Sequence, residues 1–176
     1  MSDNHPGKIR LIAAIGPHNE IAYVGDPSRP TGMLWDVPTD GAYFHEQTKR
    51  FGGDVLMASG TFAAIDRPLS GRQTYVLSST LPLDAPGVTV LRSLEPFLSE
   101  QCQGGHDTWI AGGQSLYEQT IASADELWLT RISGPLLREA NRWFPDFSRE
   151  IFRLVYQSDV RHENGYTYQF ERWNRK

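Results

Sequence analysis

In Leu34-Trp35-Asp36-Val37-Pro38-Thr39-Asp40 the chain passes from a loop into a helix, and the helix opens with an acid among apolar residues. Pro38 suits a first helical turn, where its missing N–H costs nothing. Asp40, Tyr43, Phe44 and Gln47 follow at i, i+3, i+4 and i+7, so they share one helix face. The predicted helix runs from Pro38 to about Arg50, and Gly52-Gly53 ends it. An acid at such a place has an ordinary explanation, because it complements the helix macrodipole. It also has a sharper one. A carboxylate on an inward face beside aromatic rings is costly unless a cation or a hydrogen-bond donor meets it, and that partner can be a ligand. Spacing alone leaves both open.

Upstream of this stretch, Ile9 to Ile15 is a short apolar run that reads as a buried strand. Gly16 to Gly32 holds Pro17, Pro27 and Pro30 and reads as a long loop, of the kind that is often functional. Downstream, strands are predicted at Asp54–Ala58, Gln73–Ser79, Val88–Leu91, Thr108–Ala111 and Glu126–Ile132. Helices fall between them at Thr61–Ile65, at Glu95–Gln101 with Ser93 as its cap, and at Gln114–Ile121. Strand and helix alternate, which argues for a largely parallel sheet with crossover helices. The end differs. Ile151–Val160 and Tyr166–Trp173 are extended segments joined through Asn164-Gly165, a strong hairpin signal. The expectation is a single α/β domain over residues 1–176, with residues 1–8 flexible. Its mixed sheet has about eight strands, mostly parallel, closed by a C-terminal antiparallel hairpin and flanked by about four helices.

Composition narrows the function. The chain has 176 residues, 39% hydrophobic and 22% charged, with net charge −4. This is ordinary for a globular domain with a sizeable core. No basic stripe marks a nucleic-acid partner, and no apolar run is long enough to span a membrane. The lone Cys102 excludes an internal disulfide, and the histidines show no metal-ligand spacing, so no metal is expected. The start of the chain lacks a signal-peptide core, and a cytoplasmic location follows as the expectation.

Two further places carry chemistry. Gly112-Gly113-Gln114-Ser115-Leu116-Tyr117 lies where a strand ends and a helix begins, so backbone can approach a phosphate closely there. A tight turn explains the glycines equally well, and the pattern is not G-x-G-x-x-G. Ser59-Gly60-Thr61 also follows a strand and opens a helix. Arg67, Arg72, Ser78 and Ser79 lie toward the same predicted sheet edge, although single arginines are usually solvated surface. No Ser-His-Asp or Cys-His arrangement is identifiable.

In order, these pieces resemble dihydrofolate reductase, from Ile9 to Arg172. The resemblance rests on Ile12-Ala13-Ala14, Leu34-Trp35-x-Val37-Pro38-x-Asp40, Val55-Leu56-Met57, Thr61-Phe62 and Arg67-Pro68-Leu69-x-Gly71-Arg72. It continues through Gly112-Gly113-x-x-x-Tyr117-Glu118-Gln119, Leu129-Thr130-Arg131-Ile132, Phe144-Pro145 and the closing hairpin. The resemblance implies reduction of dihydrofolate to tetrahydrofolate by NADPH, with NADH as an alternative donor, in a monomer that antifolates inhibit. Asp40 would hold the 2-amino group and N3 side of the pterin, with Thr130 bonded to it and Trp35 ordering a water. Ala14, Gly41, Phe44 and Ile65 would line the substrate, and Arg72 would clamp the glutamate carboxylate. Tyr117 would sit near the nicotinamide. Gly112-Gly113, joined by a cis peptide in the family, would meet the pyrophosphate. Ala14, Ser59, Gly60, Thr61, Ser78, Ser79, Arg92, Gln114, Ser115 and Leu116 complete the implied cofactor contacts.

The chain departs from the family in places that bear on specificity. Met57-Ala58-Ser59-Gly60-Thr61 lacks the arginine expected near the cofactor 2′-phosphate, and Gln114-Ser115 replaces a further glycine and polar or basic residue. Ser78, Ser79 and Arg92 would have to compensate, and a weakened preference for NADPH over NADH is expected. Gly41 replaces a larger apolar residue and leaves room beside the pterin. Asn141 stands where an acid commonly bonds the active-site loop, so a looser latch is expected. A related pterin or riboflavin-pathway reductase, or a binding homologue without turnover, are the alternatives. Asp40 and Arg72 argue against the riboflavin case, whose substrate has no glutamate.

Overall fold

A computed structural model describes residues 5–176. Of the segment expected to be flexible, residues 1–4 lie outside the described residues. The Gly7 N–H donates to the Cys102 carbonyl (2.9 Å) and the Lys8 N–H to Asp107 (2.7 Å).

The centre of the molecule is β1 (Ile9–Ile15), with β6 (Thr108–Ile110) on one side and β7 (Glu126–Ser133) on the other, both parallel to it. Beyond β6 lie β3 (Asp54–Ala58), β4 (Gln73–Leu77) and β5 (Thr89–Leu91), again parallel. Beyond β7 the direction reverses with β11 (Tyr166–Arg175), which pairs with both β10 (Arg161–Glu163) and β9 (Phe152–Gln157). The sheet therefore has nine strands, in the order β10-β11-β7-β1-β6-β3-β4-β5, with β9 also on β11.

Both faces are covered, so the strands read as nearly continuous apolar runs. Alternation still assigns each side chain to a face. Leu11, Leu56, Leu127 and Leu129 pack toward α3 (Leu94–Gln103) and α4 (Gln114–Thr120) through Phe97, Leu116 and Tyr117. Ile12, Val55, Met57 and Trp128 pack the opposite way, toward α1 (Pro38–Gln47) and α2 (Ser59–Ile65) through Tyr43, Phe44, Phe62 and Ile65.

Four expectations need correction. The first helix ends at Gln47, with Thr48 as its C-cap, because the chain turns before the two glycines. The Ser93 side chain makes no capping hydrogen bond to α3. The loop 16–32 contains a short strand, β2 (Glu20–Ala22), paired with β8 (Arg142–Trp143) in a separate ribbon. The extended segment expected over Ile151–Val160 is interrupted. Ser158 donates its N–H to the Phe170 carbonyl and accepts the Phe170 N–H on Oγ (both 2.9 Å). The backbone leaves the strand there, and the partner of the Asn164-Gly165 hairpin is the separate β10.

Candidate active site

Asp40 is the third residue of α1 and is only 9% exposed. Among the described residues no cation lies within salt-bridge distance of it. Burial pushes its pKa up to about 6, and the hydrogen bond from the Thr130 side chain pulls the other way. This is the signature of a carboxylate held ready without an internal cation. Thr130 comes from β7 and stands opposite Ala14 of β1 and Phe170 of β11. The Tyr43 ring stacks on Phe170 at 3.9 Å between centroids and closes that side. Trp35 is 3% exposed, and its Nε1 has no hydrogen-bond partner. The unpaired Trp35 donor calls for a polar partner, since leaving such a group unmet costs about 1–3 kcal/mol.

One helical turn beyond Asp40, Phe44 lines a groove of about 490 Å³ together with Lys49, Ile65, Arg67 and Arg72. Arg72 is pre-positioned. It donates to Thr48 Oγ1 (2.8 Å), to the Ser70 carbonyl (3.0 Å) and to His45 Nδ1 (3.1 Å). Partial burial and the nearby Arg72, Lys49 and Arg67 lower the His45 pKa, which suits it to accept that bond as neutral imidazole. Gly41 is exposed, and a Cβ built on it would meet nothing within 4 Å.

On the other side of β1, at the carboxyl edge of the sheet, Ala58 donates to the Gly112 carbonyl (2.8 Å). This sets the Ser59-Gly60-Thr61 turn beside Gly112-Gly113. The peptide between the glycines is cis, and Gly112 has φ +111°. A Cβ on Gly112 would lie 3.3 Å from Thr61 Oγ1 and 3.4 Å from the Tyr117 hydroxyl. The bare backbone is therefore a cradle that only glycine leaves open, and it fits a pyrophosphate at the start of α4. Tyr117 is buried, and its hydroxyl donates to the Ile12 carbonyl (2.7 Å). That bond holds the ring in place and leaves the hydroxyl committed.

Several implied cofactor contacts have other partners. Arg92 donates to the carbonyls of Ser78 (2.6 Å) and Leu81 (2.7 Å). Ser78 Oγ accepts from the N–H groups of Thr80 (3.2 Å) and Leu81 (2.9 Å). These groups shape the turn after β4, and the Ser79 side chain stays exposed beside them. Leu116 and Tyr117 both donate their N–H to the Gly113 carbonyl (3.1 and 3.0 Å), which leaves the first N–H groups of α4, at Gln114 and Ser115, for an anion. Ser115 Oγ accepts from Gln119 (3.1 Å). Gln114 reaches across to the ribbon, accepting from the Trp143 N–H (2.9 Å) and donating to Glu118 (2.8 Å).

The loop 16–32 is latched through Asn141. Its amide oxygen accepts from the Val24 N–H and its amide nitrogen donates to the Val24 carbonyl, both at 2.8 Å, while its own N–H reaches the Ala22 carbonyl (3.0 Å). An amide can mimic a peptide group and bond both ways, which a carboxylate cannot. An Arg138–Asp26 ion pair (3.2 Å) adds to the latch. No local sequence signal marks Asn141 as a partner of Val24, because the contact joins loops far apart in the chain.

A parallel-sheet edge that offers bare backbone to a phosphate, set against a pocket with one buried acid, belongs to the α/β oxidoreductases that bring a nucleotide and a heterocycle together. Comparison with known proteins narrows this. The family model described as dihydrofolate reductase matches residues 8–175. Dihydrofolate reductase of Bacillus subtilis is 33% identical over 82% of this chain and 84% of its own length. The type 3 dihydrofolate reductase of Salmonella typhimurium is 32% identical over 92% and 94%. The solved structure of dihydrofolate reductase from Enterococcus faecalis, complexed with NADP(H) and RAB-propyl, superposes with a TM-score of 0.80 at 26% identity, covering 97% of this chain and 98% of that one. The chain belongs to the dihydrofolate reductase family.

Proposed function

We infer that this chain, acting as one domain over residues 1–176, reduces 7,8-dihydrofolate to tetrahydrofolate. The observation that carries the reading is Asp40, buried with no cation to pair it and one helical turn before Phe44, which lines a groove holding an anchored arginine. NADPH, when bound, would supply the hydride for C6 of the pterin, and N5 would take a proton from water. The protein's part is to bind, orient and polarise. Ionised Asp40 accepts from the pterin 2-amino group and N3 side, and in a dry pocket its charge raises the basicity of the ring. Thr130 holds the carboxylate, and the Trp35 indole N–H orders a water beside it. Ala14 presents backbone to the ring, Phe44 and Ile65 grip the benzoyl portion, and Arg72 pairs with the tail carboxylate as a guanidinium does well. Gly112-Gly113, Thr61 and the first N–H groups of α4 receive the pyrophosphate. Tyr117, held by the Ile12 carbonyl, would fix the wall beside the nicotinamide.

Antifolates that present an amidine-like edge to Asp40 would occupy the same pocket. No described helix is long and apolar enough to cross a membrane. With Cys102 as a free thiol, we assign the enzyme to the cytoplasm. The test is dihydrofolate-dependent oxidation of NADPH, wild type against Asp40→Asn. A brisk wild-type rate that falls at least about a hundredfold in the variant is expected. No dihydrofolate-dependent rate would remove the function, and an unchanged variant would remove the role of Asp40.

A further inference from the structure

The helix that carries Asp40 has no cap of its own. Val37 occupies the N-cap position and offers no side-chain acceptor. Pro38 has no N–H, and the Asp40 N–H turns back to the Val37 carbonyl (2.9 Å). The Thr39 N–H is left, and it donates to Glu163 Oε2 at 3.1 Å. Glu163 is the last residue of β10, at the opposite end of the chain. The next residue strengthens the grip. Asn164, with φ +49° in the hairpin turn, donates to the Asp36 carbonyl and carboxylate (both 3.2 Å). The hairpin thus holds the backbone on both sides of Pro38, between Trp35 and Asp40.

We propose that Glu163 is a positioning residue for Asp40: its carboxylate caps α1 from the C-terminal hairpin and so fixes the turn that presents the acid to the substrate. The placement suits the role. A negative group at a helix N-terminus meets both the unpaired N–H and the positive end of the dipole. Glu163 is only partly buried, so it supplies this contact without the heavy desolvation that a second interior acid would carry. It acts through the backbone of Thr39.

The proposal rests on Asp40 being the pterin-binding acid, and its test uses one readout that needs no turnover. Glu163→Ala and Glu163→Gln are compared with wild type in the full chain. Glutamine keeps an acceptor oxygen for the Thr39 N–H and alanine does not. In Glu163→Ala the dihydrofolate KM should rise between about twofold and thirtyfold, the range expected from loss of a cap. The NADPH KM should stay put, because Gly112-Gly113 and Thr61 lie on other elements. The Asp40 carboxyl, followed by carbon NMR, should titrate below its wild-type midpoint near 6, because water reaches a loosened first turn. Glu163→Gln should restore most of the substrate KM and the midpoint.

If the Asp40 midpoint is the same in all three proteins, the positioning role is wrong, whether or not the enzyme turns over. If both KM values move together with the melting temperature, Glu163 is merely structural and the proposal also fails. A protein that shows the NMR shift but never reduces dihydrofolate would leave Glu163 as the anchor of Asp40 and overturn only the assigned reaction.

Discussion

The Asp40 carboxyl leaves water on folding and gains only the Thr130 hydrogen bond, so its ionisation weighs against the folded state. Below about pH 3.8 the group is neutral in folded and unfolded chains alike, and it costs nothing. Between there and about 6 the unfolded chain ionises and the folded one resists. Above that the folded chain carries the full cost, which a change from 3.8 to about 6 puts at about 3 kcal/mol. Stability linked to this residue therefore falls as pH rises through that window. Asp40→Asn removes the charge and keeps the shape. Its amide brings donors that need acceptors, which takes back part of the gain. The variant should be more stable than wild type by about 1–3 kcal/mol near neutral pH, and by under about 1 kcal/mol near pH 4. Urea unfolding at the two pH values, analysed with a common m-value, measures both numbers. A variant no more stable than wild type at neutral pH would refute the argument. So would the same gain at both pH values, since a pH-independent gain cannot come from ionisation.

Three further outcomes are expected. Arg72→Ala should raise the dihydrofolate KM by about tenfold to a hundredfold with little change in kcat, because the tail contact is the same in ground and transition states. A dihydropterin lacking the glutamate should show no such loss in parallel assays. Asn141→Asp keeps the acceptor for Val24 N–H but sets a carboxylate against the Val24 carbonyl. It should loosen residues 16–32, seen as faster limited proteolysis of that segment, and an unchanged cleavage rate would contradict the latch. Isothermal titration should show NADPH preferred over NADH by less than about a hundredfold. The missing arginine at Ser59-Gly60 forgoes a charge-assisted contact worth about 1.5–3 kcal/mol, and Arg92 already spends its guanidinium on two carbonyls.

The parallel core was legible in the chain because its strands are short apolar runs between glycines, and periodicity places them well. Asp40 was legible as an oddity, an acid on an apolar helix face, and the order of motifs around it gave that oddity a purpose. β2 and β8 were not legible, for both are too short to show a period and are made by a contact between two loops. The break at Ser158 was hidden for a similar reason. Its hydroxyl and N–H take the place of a strand partner for Phe170, which no local pattern announces. Gln114 and Arg92 show the limit of assigning side chains by place. Each stands at the cofactor edge, yet Gln114 bonds to Trp143 and Arg92 to the turn after β4.

The position of β11 has a consequence for how the protein is made. This strand follows every other described element in sequence, yet it lies inside the sheet, bonded to β7 on one side and to β9 and β10 on the other. Until β11 has left the ribosome, β7 has an open edge, and Thr130 and Tyr43 both lack Phe170. Asp40, translated early, then waits for its wall and for the hairpin that grips its helix. A nascent chain stalled anywhere before residue 166 would expose an unpaired apolar strand edge that invites association with other chains. Arg175 closes the assembly by donating to the carbonyls of Ile121, Ala122 and Ala124. Emergence of β11, rather than synthesis of the pocket residues themselves, is the moment at which the site comes into being.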